Sequence, residues 1–113
     1  MKKNLSEIEN PGKICIKNLK NDYEYQTDSI IIKTILKDST GSIALFIIDT
    51  NQGLIEHAAS SDAFVYILEG EIQFTISKQI YNVREGNVLK LPADIPHSLL
   101  AIEKAKMLLI IFA

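Results

Sequence analysis

Two side chains in this sequence belong to the type that titrates near neutrality and also ligates metals, and they are His57 and His97. If folding brings the imidazoles together, they can bind a carboxylate or phenolate, act as a general base, or give two nitrogens to a divalent metal. Taken alone, a histidine following Pro96 can equally pack against its neighbours and bond a backbone carbonyl. Little else in the chain offers chemistry. Cys15 is the single cysteine, so it has no partner for an internal disulfide or a CxxC zinc pair. It reads as a small packed hydrophobe rather than a nucleophile. The nucleophile and oxyanion groups of an acyl-transfer enzyme are not evident.

Strands must position these residues. Between the histidines, strand-like runs break at Glu69-Gly70-Glu71, at Ser77-Lys78-Gln79 and at Arg84-Glu85-Gly86-Asn87. Upstream, Ser29 to Leu36 is dense in isoleucine, which favours extended structure. Ser42 to Asp49 and Asp62 to Leu68 are apolar on both parities, so each needs cover on both faces, from a second sheet or a second subunit. Glu71 to Ile76 alternates with one wet side, placing Gln73 and Thr75 toward solvent and making Glu69 and Glu71 exposed turn residues. Gly86 to Leu91, Pro96 to Ala101 and Lys104 to Phe112 follow as strands. No amphipathic helix is convincing, and about nine or ten short strands point to an antiparallel sandwich or barrel. Residues 1–28 form a polar lead-in, with Lys13 to Lys17 as an edge strand, and residues 29–113 form the barrel.

Composition sets the bounds. A chain of 113 residues makes one domain that buries roughly two thirds of its unfolded surface. With 12 basic and 14 acidic residues and no basic face, nucleic acid and anionic membrane are poor partners. The longest apolar run, Met107 to Ala113, is far short of the ~18 residues a membrane helix needs. No secretion signal is visible, and the expected location is a reducing cytoplasm.

The stretch resembles the small single-domain cupins, RmlC-like jelly-roll barrels also described as double-stranded β-helices. Their second motif runs from a glycine through five residues to a proline, then a glycine, a histidine and an asparagine. Here Gly86, Pro92 and His97 match, while Asp94 stands at the second glycine position and Ala101 at the asparagine. The first motif is anchored by Leu68-Glu69-Gly70-Glu71. Counting back places its first histidine at His57, its second at Ala59, its glutamate at Ala63 and its opening glycine at Asn51. The resemblance implies an all-β antiparallel jelly-roll in which two of four usual metal ligands are alanines.

Two functions follow from that pattern. The favoured one is a homodimer whose barrel binds a small organic molecule, with His57 and His97 as polar contacts and no obligatory metal. By parity Ile55, His57, Ala63, Val65 and Ile67 share one face. Leu89, Leu91, His97, Leu99, Met107 and Leu109 complete the lining, and Ala59 and Ala63 leave room. The alternative is a metal-dependent oxidoreductase, dioxygenase-like, or an isomerase, with zinc, iron, nickel or manganese on a reduced His57/His97 set. Asp62 becomes a third ligand there if a bulge within Ala58 to Asp62 turns it inward. Whether the protein is an enzyme stays open at this point.

Overall fold

Alternation, β-branched density and turn residues shape the chain into nine strands in the computed structural model, which describes residues 14–112. They are β1 (Ile30–Asp38), β2 (Gly41–Ile48), β3 (Gly53–His57), β4 (Ala63–Glu69), β5 (Glu71–Ile76), β6 (Gln79–Arg84), β7 (Val88–Leu91), β8 (His97–Ala101) and β9 (Ala105–Phe112). One sheet has the order β1-β2-β9-β4-β7 and the other β3-β8-β5-β6, with antiparallel pairing throughout. No helix occurs among the described residues. This is the jelly-roll expected from the sequence. The inward residues of the two sheets, among them Phe46, Val65, Ile67, Ile72, Phe74 and Met107, close a single core.

Corners are set by residues that tolerate positive φ. Ser77 (φ 48) and Lys78 (φ 70) form the two-residue link between β5 and β6, with both central residues left-handed as a type I′ hairpin requires. At Gly70 (φ +82) a Cβ would lie 1.9 Å from the Lys104 carbonyl oxygen, so the close passage of two backbones excludes any side chain. Gly86 (φ +88) has the same hand but open space around it.

The second face of β2 is covered largely by the chain itself. Leu45 and Ile47 pack with Ile35 and, from the segment before β1, with Leu19, Tyr23 and Tyr25. That segment is pinned by Lys106, a buried lysine whose ammonium donates to the Tyr23 carbonyl at 2.7 Å and to the Lys20 carbonyl. It also lies 4.9 Å from the centre of the Tyr25 ring. The Tyr25 hydroxyl donates to Glu69 at 2.5 Å, and burial followed by that carboxylate pushes the phenol well above its ordinary range. Glu69 is therefore a half-buried partner, not the exposed turn residue expected, and Glu71 is half-buried beside Arg84 at 3.3 Å.

Two expectations for the lead-in fail. Residues 14–17 form no strand, because no ladder pairs them, and Ile14 and Ile16 are 96% and 90% exposed. Cys15 is exposed rather than packed. Lys13 and the preceding Met1 to Gly12 lie outside the described residues. No helix among the described residues is long and apolar enough to cross a membrane.

Gly70→Ala and Gly86→Ala both place a side chain at positive φ, at about 1 kcal/mol or more. Only the first adds a backbone collision. Urea denaturation is expected to show Gly70→Ala clearly the more destabilised of the two.

Candidate functional site

The two histidines meet as a cross-strand pair. His57 at the end of β3 is the register partner of His97 at the start of β8, and their ring centroids are 4.4 Å apart, tilted by 60°. His97 is 7% exposed, whereas His57 stands at the solvent-facing rim. The arrangement depends on an irregularity in β3. Leu54 pairs with Leu99 and His57 with His97, so β3 carries one residue more than β8 across the interval. This bulge sets Leu54 and His57 on the same inward side. Simple alternation put Ile55 in the lining; the extra residue turns it outward, where it is 89% exposed.

Each ring is held by the backbone carbonyl two residues before it. His57 Nδ1 lies 2.9 Å from the Ile55 carbonyl and His97 Nδ1 lies 3.0 Å from the Ile95 carbonyl. A carbonyl oxygen only accepts, so both Nδ1 atoms carry the hydrogen and donate it. In the neutral rings both Nε2 atoms are therefore acceptors, and neither has a protein partner among the described residues.

Two chambers adjoin the pair. The outer one, about 130 Å³, is lined by His57, Ala59, Ser61, Ala63, Leu91, Pro92, His97, Leu109 and Ile111. The inner one, about 50 Å³, is walled by Phe46, Leu54, Val65, Phe74, Leu91, Leu99, Met107 and Leu109 beside the same two rings. His57, His97, Ala59 and Ala63 thus share the outer chamber, while Val65 and Met107 sit deeper. Ile67 and Leu89 pack in the core without lining either chamber. Phe46 and Phe74 were missed as lining, although the inward parity of Ile72, Phe74 and Ile76 was readable. Gln73 and Thr75 instead line a shallow groove outside the β3-β8-β5 sheet, with Ser98 and Leu100.

Asp62 is placed away from the rings. Its carboxylate accepts the Ala93 amide at 2.8 Å, lies 3.8 Å from Lys90, and lines neither chamber. The bulge occurs within β3, not in Ala58 to Asp62, so nothing turns Asp62 toward the histidines. Among the described residues there is no group of three or more His, Cys, Asp or Glu able to hold a metal ion.

The departures from the motif glycines have a physical reason. Asn51 (φ 67) and Asp94 (φ 64) both adopt the left-handed conformation. Asn and Asp are the residues other than glycine that tolerate it best. The Asp94 amide then donates to the Ala59 carbonyl at 2.7 Å, tying the two loops at the chamber mouth. Ala101, at the asparagine position, is fully buried and accepts the Asn51 amide at 2.8 Å.

A two-sheet jelly-roll with a histidine from each motif facing one cavity defines a cupin-type barrel. The cupin domain family matches residues 44–112, and the chain belongs to that family. Among solved structures, a conserved protein of unknown function from Streptococcus pyogenes is 30% identical, with a TM-score of 0.84 over 98% of this chain and 95% of that one. A cupin 2 conserved barrel domain protein from Leptotrichia buccalis is also 30% identical, with a TM-score of 0.80 over 86% of this chain and 47% of that one. KdgF from a Halomonas species shares the fold at 14% identity, with a TM-score of 0.73 over 85% of this chain and 91% of that one. No curated protein matches the sequence.

Restoring the two motif positions tests whether they converge with the histidines. The double variant Ala59→His, Ala63→Glu offers three imidazoles and a carboxylate, a set suited to zinc, nickel, iron or manganese. Elemental analysis after dialysis is expected to show close to one divalent ion per chain in the variant and far less in the parent.

Proposed function

We propose that the barrel binds a small organic molecule in the cavity over His57 and His97, with no obligatory metal. One observation carries this reading: an apolar cavity contains two imidazoles whose Nε2 atoms have no protein partner, while alanines occupy the two other family ligand positions. Small-molecule sites have this character, mostly apolar walls with a few convergent polar atoms.

A metal-dependent oxidoreductase or isomerase is the second reading. It is favoured by the shared tautomer, because metal-ligating histidines commonly fix one nitrogen on a carbonyl and present the other. The residues present do not complete such a site, since a stable divalent centre takes about three or four protein donors. Asp62 is engaged elsewhere.

Thermal unfolding separates the readings. A screen of small organic compounds, run with and without chelator, is expected to raise the melting temperature equally in both. Loss of that stabilisation on chelation, together with stoichiometric metal in the purified protein, would favour the metal enzyme.

In this reading the protein works as a homodimer through the outer face of the five-stranded sheet, with a second copy of the same face as the occupant. The segment at Leu19 to Tyr25 covers one part of that face. The other part carries Leu36, Tyr66, Val88 and Phe112, all exposed, around the edge-on pair of Phe64 and Phe112. A contiguous apolar patch of this kind on a sheet is what an isologous contact buries. Light scattering is expected to give a dimer for the parent and a monomer of unchanged fold for Val88→Glu, since Val88 is 61% exposed. A cytoplasmic setting fits the free thiol of Cys15.

A further inference from the structure

We infer that the molecule taken by this cavity is neutral, benzene-sized and carries an O–H or N–H donor, as a simple phenol does, with that donor bonded to Nε2 of the histidine pair. The inference rests on the ligand-binding reading above and adds the chemical class.

The direction of the hydrogen bonds selects a donor. Ile55 and Ile95 accept from the two Nδ1 atoms, so the neutral rings leave two acceptor nitrogens and no donor. A buried acceptor left unpaired costs about 1–3 kcal/mol. An occupant with only acceptors would leave the buried ring of His97 unsatisfied. One with a hydroxyl or amine hydrogen satisfies at least one, and His97, the buried ring, gains most from it.

The charge of the lining selects a neutral molecule. Neither chamber is lined by a lysine or an arginine. Lys90 lies 3.8 Å from Asp62 and lines neither chamber, and Lys106 is held by the Tyr23 and Lys20 carbonyls on the other face of its sheet. A carboxylate or phosphate would enter an apolar space with no fixed cation, and an unpaired anion there is strongly disfavoured. It would bind only by bringing a second proton to a ring.

The cavity volume sets the size. An apolar protein cavity of about 150 Å³ holds one benzene. The outer chamber here is about 130 Å³ and the inner one about 50 Å³. Ala59 and Ala63, where the family has side chains that reach the centre, leave the room that a six-membered ring takes up.

The test uses the full chain with chelator present and compares phenol, toluene and benzoate by calorimetric titration. Phenol is expected to bind about tenfold more tightly than toluene, the worth of one neutral hydrogen bond, with benzoate weakest. In His97→Leu the preference for phenol over toluene is expected to collapse while toluene still binds. His57→Leu, at the exposed rim, provides a second variant should the buried substitution fail to fold, and is expected to reduce the same preference. Equal binding of phenol and toluene by the parent, or benzoate tighter than phenol, overturns the donor inference and leaves the cavity as a binding site. Binding of none of the three overturns the ligand-binding reading itself.

Discussion

Between Leu54 and His57 the chain carries one residue more than the partner strand opposite it, and the position of the site follows from that surplus. Paired regularly from Leu54 opposite Leu99, β3 would set Glu56, not His57, opposite His97. The bulge instead sends Ile55 into solvent and sets His57 beside Leu54, facing the barrel and directly opposite His97. The centroid separation of 4.4 Å is then a consequence of cross-strand register, not of flexible side chains finding each other. The carbonyls at Ile55 and Ile95 fix the rings from below, so both the location and the hydrogen-bonding sense of the pair are built by backbone.

Backbone conformation also explains how motif glycines can be replaced without losing the barrel. The corners at Asn51 and Asp94 need a left-handed residue, and a short polar side chain supplies it at small cost. Gly70 is different, because a neighbouring carbonyl occupies the space a Cβ would take. The metal-ligand positions follow another logic. Ala59 and Ala63 keep the wall of the chamber intact while removing its donors, so the fold persists and the chemistry changes.

Much of this was legible in the sequence. The strands from Ser29 onward announce themselves by alternation and by isoleucine density, and the inward faces of β4 and β8 follow from parity. His57 and His97 were placed in one pocket by motif spacing. What could not be read depends on departures from regularity. Leu54 to His57 looks like an ordinary alternating strand, because nothing in Ile55-Glu56 distinguishes a bulge from a straight run. Lys13 to Lys17 alternates equally well, yet residues 14–17 find no partner strand. The cover over Leu45 and Ile47 had a signal that went unused, the lone lysine between Ala105 and Met107 in an otherwise apolar strand. A lysine there is tolerable only if something brings it carbonyls, and the segment at Lys20 to Tyr23 does so.

The site depends on the state of two imidazoles, both protonated at Nδ1 in their neutral form and both open at Nε2. Long-range proton–nitrogen correlation NMR on the histidine rings reads that state directly, at a pH where the rings are neutral. The prediction is that His57 and His97 each show the Nδ1–H pattern, with Nε2 at the shift of a bare acceptor nitrogen. An Nε2–H pattern at either ring would mean that the carbonyl contact does not hold it, and the site as described here would be wrong.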